Sequence, residues 1–317
     1  MPGFTNCVVS TNGIRLAVRD EGSGPAVVLC HGFPELAYSW RHQVPALAAA
    51  GFRVLAPDQR GYGDSDRPDD VAAYDMKHLT GDLVGLLDAL GIERAVFVGH
   101  DWGGLIVWTM PLLHRSRTAG VVGVNTPYLP RAPIPPVALM RAALGDNHYI
   151  VHFQQPGVAD AALARDVRRV FSQLVRSGVP IAEAEARLAV RGSMPNLVEM
   201  VEAPDPLGEP LLGDADLQVY VDAFTRTGFT GGLNWYRNLD RNWEETPELA
   251  GARITVPSLM VIAEWDAALR PELAEPMKGL VDDLEVVTIP RCGHWTQQER
   301  PDELNGILVD WLRRRFG

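Results

Sequence analysis

The sequence predicts an α/β fold, a mostly parallel twisted sheet flanked by helices, with a helical lid inserted into it. Three observations carry that expectation. Short apolar runs of strand length alternate with helix-like stripes from residue 14 to residue 124. A proline-rich stretch at 127–136 then opens a long segment of helix and loop signals, without strong strand signals, to about residue 243. Strand-like runs return at 258–263 and 284–289. Parallel strands need long crossovers, and the intervening helical runs supply them.

Taken in order, residues 14–20 and 26–30 read as strands separated by the turn Gly22-Ser23-Gly24-Pro25. Residues 38–50 read as a helix stopped by Gly51, a residue type that commonly follows a helix end. A short apolar strand follows at 52–56. Residues 74–90 carry Leu79, Leu83, Leu86, Leu87 and Leu90, one helical stripe closed by Gly91. A buried-type strand at 95–98 precedes a helix at 102–113 and a strand at 121–124. Prolines 127, 130, 133, 135 and 136 forbid a regular helix across that stretch. Residues 302–315 close the chain as a helix. The expected organisation is core (1–130), helical lid (131–245) and core again (246–317).

Composition narrows the function classes. The 317 residues are 46% hydrophobic and 22% charged, enough to bury a large core without staples. A formal net charge of −11 and the lack of a recurrent basic block argue against nucleic acid as a partner. No apolar run reaches the length of a membrane span, and residues 1–7 lack the pattern of a secretory signal. Three cysteines, Cys7, Cys30 and Cys292, have no metal-like spacing and suit a reducing compartment. A cytoplasmic monomer or homodimer is the expectation.

The chemistry centres on Gly99-His100-Asp101-Trp102-Gly103-Gly104, between a strand and a helix. That is the context of a nucleophile elbow, with Asp101 where a serine often stands. The turn is tight, and Gly99 and Gly103 supply the minimal side chains it needs. The helix start points free N–H groups at the site, favouring a carboxylate. The hexapeptide alone equally fits an Asp capping its own helix.

An Asp nucleophile makes an ester, which water must cleave with the help of a base. His294, in Cys292-Gly293-His294-Trp295 after the last strand, is the candidate base. Asp266, after the preceding strand, is the candidate orienting acid, with Glu264 the weaker alternative. Backbone N–H groups of Phe33 and Trp102 are the candidate oxyanion donors: the loop His31-Gly32-Phe33-Pro34 follows an early strand, and Trp102 follows the nucleophile.

These segments resemble the soluble epoxide hydrolases of the α/β-hydrolase fold. The likeness rests on His31-Gly32-Phe33-Pro34-Glu35, Asp58-Gln59-Arg60-Gly61-Tyr62-Gly63-Asp64-Ser65 and His100-Asp101-Trp102-Gly103. It extends to Phe153-Gln154-Gln155-Pro156-Gly157, Asn234-Trp235-Tyr236-Arg237-Asn238 and Cys292-Gly293-His294-Trp295. It covers nearly the whole chain, and its two lid segments are the specific ones. Gln155 departs from an often acidic family position that is not catalytic.

By this resemblance Tyr149 and Tyr236 hold the epoxide oxygen, the Phe33–Pro34 peptide is cis, and the product is a vicinal diol. Phe33, Trp102 and Trp235 would contact a small apolar epoxide, and no cofactor or metal is called for. A hydrolytic haloalkane or haloacid dehalogenase uses the same Asp nucleophile. Haloalkane enzymes typically carry Asn where Phe33 stands, and fluoroacetate-type enzymes usually carry Arg where Trp102 stands. A non-catalytic binding protein on the same scaffold is the alternative of another class.

Overall fold

Asn12 and Gly13, both with positive φ (45° and 78°), turn the chain back on itself before the first predicted strand begins. They join β1 (Thr5–Thr11) to β2 (Ile14–Gly22), with Thr11 facing Ile14 across the ladder. The computed structural model describes residues 5–191 and 196–317. In it eight strands form one sheet in the order β1-β2-β4-β3-β5-β6-β7-β8. Besides the hairpin these are β3 (Ala26–Cys30), β4 (Arg53–Pro57), β5 (Ala95–His100), β6 (Thr118–Val124), β7 (Ser258–Ala263) and β8 (Leu284–Ile289). The β1/β2 and β2/β4 pairs are antiparallel, and every pair from β4 through β8 is parallel.

The central strands are buried on both faces, so their sequences read as continuous apolar runs. Alternation persists inside them. Val28, Phe97 and Leu55 join the core under α2 (Met76–Ala89) and α3 (Trp102–Leu113). Val27, Leu29, Val96 and Val98 join a second core with Trp40, Leu304, Leu308 and Trp311. That second layer belongs to α1 (Gln43–Ala49) and the closing helix, residues Pro301–Phe316.

Two helix expectations need correcting. Residues 38–50 are a 3-10 turn at Ala37–Trp40 followed by α1, and not one helix. Pro45 is the reason: it lacks an N–H and is tolerated only in a first turn, so the helix has to begin just before it. Residues 71–74 likewise form a separate 3-10 turn. The Asp75 carboxylate accepts the His78 N–H (2.9 Å) and starts α2 at Met76.

Among the described residues, the stretch between β6 and β7 is helix and loop apart from isolated bridges of Arg176 with Pro210 and of Ile254 with Val281. The insertion holds α4 (Pro136–Leu144), α5 (Tyr149–His152), α6 (Val158–Ala164), α7 (Val167–Leu174) and α8 (Ile181–Arg191). It continues with α9 (Leu197–Glu202), α10 (Asp214–Thr227), α11 (Thr230–Arg237) and α12 (Leu239–Glu245). Two helices after β8 complete the chain: α13 (Thr296–Glu299) and α14 (Pro301–Phe316).

The insertion sits on the sheet's carboxyl edge through polar and close-packed contacts. Arg41 pairs with Asp216 (3.0 Å), the Tyr38 hydroxyl donates to the same carboxylate (2.7 Å), and the Trp235 indole donates to the Arg60 carbonyl (3.2 Å). Gly231 and Gly61 meet backbone to backbone: a Cβ on Gly231 would lie 2.4 Å from the Gly61 carbonyl oxygen. That fixes α11 against the loop after β4.

Candidate active site

The site forms where β3, β5, β6, β7 and β8 end. Asp101 follows β5 with φ 51° and ψ −121°, a conformation that costs a non-glycine residue about 1–3 kcal/mol. The surroundings hold it there. A Cβ on Gly99 would sit 2.2 Å from the Gly103 carbonyl oxygen, and one on Gly103 2.0 Å from that of Cys30. The Asp101 carbonyl accepts from Gly104 N–H (2.9 Å) and from the Thr126 hydroxyl (2.8 Å).

The Asp101 side chain does not cap its own helix in the ordinary way. Its Oδ1 accepts the Phe33 N–H at 2.8 Å, and the Trp102 N–H also bonds the carboxylate. The Phe33–Pro34 peptide is cis. Burial raises the Asp101 pKa; the charges of His294 and His100 and these two N–H groups work against that rise without cancelling it.

His294 lies on the loop after β8. Its Nδ1 is 2.9 Å from Asp266 Oδ2, and its Nε2 is 3.8 Å from Asp101 Oδ2. Asp266 is buried and fully bonded. Oδ1 accepts the Ala268 and Leu269 N–H groups (2.9 Å each), and Oδ2 accepts the Asn125 amide (2.7 Å) as well as the imidazole. Burial pushes Asp266 up, but the His294 charge and hydrogen bonds outweigh it and hold the acid well below the usual carboxylate range. For His294, burial pushes down, while Asp266 first and then Asp101 and Glu35 push up, to about 9. Glu264, the alternative acid, instead accepts the Arg291 N–H (2.7 Å) at the surface.

The two tyrosines come from the insertion, 87 positions apart, yet their ring centroids are 6.0 Å apart. Tyr236 also packs edge-on against Trp102 (5.0 Å) and Phe33 (5.4 Å). Burial raises both phenols, and the Asp101 charge adds to the rise in each, which puts both hydroxyls in its field. Trp235 is fully buried beside them and packs on Tyr62 (4.9 Å) and on the edge of Trp102 (5.9 Å).

Sequence reasoning missed a polar layer under the site. Asn125, with φ 64°, donates to Asp266 and to the Gly293 carbonyl (3.2 Å) and accepts the Thr296 hydroxyl (2.7 Å). His100 reaches the His294 carbonyl with Nε2 (2.6 Å) and Glu35 with Nδ1 (3.0 Å). Glu35 also accepts the Gly32 N–H (2.9 Å) and the Gln297 amide (2.8 Å). Burial would raise Glu35, but His100 outweighs it and lowers the pKa. The available signal was two polar residues, Glu35 and His100, inside the quoted motifs and directly beside apolar strands. Among the described residues no group of three or more His, Cys, Asp or Glu side chains is arranged to hold a metal ion.

Residues 25–301 match the family described as the α/β hydrolase fold. The chain is 49% identical to epoxide hydrolase A of Mycobacterium tuberculosis over 97% of each chain. It is 44% identical to mouse bifunctional epoxide hydrolase 2 over 95% of its own length, and spans 54% of that longer protein. The crystal structure of epoxide hydrolase A from Mycobacterium thermoresistibile superposes with a TM-score of 0.91, at 46% identity and 98% coverage of both chains.

Proposed function

The chain belongs to the epoxide hydrolase family of the α/β-hydrolase fold, and from that premise we propose that it converts an epoxide and water to a vicinal diol through an ester on Asp101. The observation that carries this reading is the division of labour between the two oxygens of one carboxylate. Oδ1 accepts the Phe33 N–H, while Oδ2 faces His294 Nε2 across 3.8 Å, too far for a direct hydrogen bond. Oδ2 is therefore the attacking oxygen and Oδ1 the future ester carbonyl.

In the first step Oδ2 bonds an epoxide carbon as the ring C–O bond breaks. The departing alkoxide takes its proton from Tyr149 or Tyr236, and the other phenol stabilises it by hydrogen bonding. In the second, His294, oriented by Asp266, removes a proton from water, whose oxygen attacks Cγ of Asp101. The Phe33 and Trp102 N–H groups hold the oxyanion on Oδ1. Collapse breaks the Cγ–Oδ2 bond, the diol leaves with Oδ2, and the proton from His294 balances it. The phenolate of the first step is reprotonated from solvent.

Charge orders the two steps. With Asp101 ionised, His294 is pushed up to about 9 and is an imidazolium at neutral pH. Ester formation removes the Asp101 charge, the lesser of the two carboxylate influences, so the imidazolium gives up its proton to solvent more readily once there is an ester to cleave. The insertion, residues 131–245, acts as the lid that supplies the two phenols. The same reading has the enzyme working in the cytoplasm as a monomer or homodimer on a small apolar epoxide, without metal or organic cofactor. Its three thiols are free, as a reducing compartment keeps them.

The test is the mass of a His294→Gln protein after exposure to styrene oxide. A stable gain equal to the epoxide's mass, on the peptide containing Asp101, is expected. No gain with any of a panel of epoxides, or halide release from haloalkanes in place of diol formation, overturns the reading.

A further inference from the structure

Glu299 lies five residues past His294, at the end of α13, and takes no part in the steps above. Its carboxylate is nonetheless bonded to two backbone amides from distant parts of the chain. Oε2 accepts the Gly293 N–H at 2.8 Å, and both oxygens lie 3.1 Å from the Gly178 N. Gly293 immediately precedes His294. Gly178 belongs to the lid, in the segment after α7.

The two glycines also touch directly. A Cβ on Gly178 would fall 2.5 Å from Gly293 Cα, and one on Gly293 2.4 Å from Gly178 Cα. Neither position tolerates a side chain while the strands of the contact stay where they are. On the other side of His294, the Trp295 indole donates to the lid carbonyl of Leu174 at 2.6 Å. The residues before and after His294 are thus both fastened to one lid segment, 174–178. That segment is itself held by Ser177 N–H to the Glu209 carbonyl (2.8 Å).

We propose that Glu299 is a positioning residue that, with Gly178 and Gly293, latches the lid to the histidine loop and so sets His294 for ester hydrolysis. The inference rests on the two-step reading above. The latch acts on the second step alone, because the attacking carboxylate is fixed by the elbow and by Phe33, and the phenols come from α5 and α11. Loosening the latch lets the imidazole drift from its place 3.8 Å from the Asp101 carboxylate while ring opening proceeds.

The test is rapid mixing of excess enzyme with styrene oxide. Ester formation and decay are followed by quenched intact-protein mass in the parent, Glu299→Leu, Gly178→Ala and Glu299→Gln. Leucine removes both acceptors at similar size, and alanine wedges the lid segment from Gly293. Glutamine keeps an acceptor oxygen within reach of both amides. In the first two variants ester decay is expected to slow at least about tenfold, with ester formation within about twofold of the parent, because small misplacements of a reacting group carry large rate penalties. Glutamine is expected to restore most of the decay rate.

The comparison is made on variants whose near-ultraviolet circular dichroism matches the parent. Decay unchanged in Glu299→Leu and Gly178→Ala, or formation and decay reduced in proportion, overturns the latch. The His294→Gln protein run alongside separates the two levels. An adduct there together with unchanged decay in the latch variants sinks the latch alone, and no adduct there sinks the two-step reading itself.

Discussion

The sheet-end loops and the helical insertion hold their candidate reactive side chains in different ways. Asp101, His294 and Asp266 sit on short loops at the ends of β5, β8 and β7; main-chain N–H groups hold two of them, Asp101 from Phe33 and Asp266 from Ala268 and Leu269, and Asp266 in turn holds the His294 ring. Tyr149 and Tyr236 sit on helices of the insertion and are positioned chiefly by ring packing, Tyr236 against Trp102 and Phe33 and Tyr149 against Phe153 at 5.6 Å. Backbone-anchored groups have little freedom to adjust, whereas packed rings can settle into nearby rotamers. The largest losses are therefore expected from changes at the sheet-end groups, and smaller ones from changes at the insertion's tyrosines.

The largest effect sharpens that contrast at the nucleophile. Asp101→Ala is expected to lower turnover by about 10⁴-fold or more, as removal of a covalent nucleophile does, with no adduct in the intact-protein mass. His294→Gln comes next: a lost general base costs about 10²–10⁴-fold in turnover. Here the loss is expected to fall on ester decay with formation retained, which rapid-quench kinetics resolves.

On the lid side, Tyr236→Phe and Tyr149→Phe each remove one donor to the developing alkoxide. About 10²-fold slower ester formation is expected for each, the lower end of losses seen for single oxyanion donors, with decay of the ester unaffected. A tyrosine change that stopped ring opening as completely as Asp101→Ala would break the comparison.

A backbone test follows. Gly103→Ala drives a methyl toward the Cys30 carbonyl oxygen, 2.0 Å from the ideal Cβ. A loss of about 1–3 kcal/mol in urea-unfolding stability is expected, the usual cost of overpacking.

The smallest effect is in pH. Ester decay needs neutral His294, so its rate is expected to rise with pH. Its midpoint should lie below the value of about 9 set when Asp101 is charged. For stability the sign is also set by this histidine. Its pKa is raised above the ordinary 6.5, so its contribution is complete below that value and is lost as pH rises toward about 9. Asp266 acts oppositely: its pKa is depressed, so its contribution is present above 3.8 and fades as pH falls. Unfolding midpoints across pH check both.

The sequence made the parallel core readable because its central strands are buried on both faces and its turns are punctuated by glycine. The limits of β7 and β8 fell where the apolar runs end. β1 escaped because residues 5–11 lie at the sheet edge and carry no polar–apolar alternation: Cys7, Val8 and Val9 are consecutive and flanked by polar residues, with Val9 buried and Val8 65% exposed. The Asn12-Gly13 turn that identifies its hairpin was the legible signal.

At the candidate site, Asp101, His294 and Asp266 could be named from the sequence because each stands at a strand end in a local pattern. Tyr149 and Tyr236 were not, since nothing in helical periodicity brings residues 87 positions apart to one point, and only the family resemblance named them. Asn125 and Glu299 were invisible for a further reason. Each acts on a loop far away in sequence, and in its own neighbourhood looks like an ordinary polar residue.

One turnover by excess enzyme in ¹⁸O-labelled water reaches the central claim most directly. The account expects the first diol to carry only unlabelled oxygen, one atom of it from Asp101, and the label to appear in the Asp101 peptide. Labelled oxygen in that first diol, with an unlabelled protein, would mean that water attacks the epoxide directly and that Asp101 never bonds to carbon.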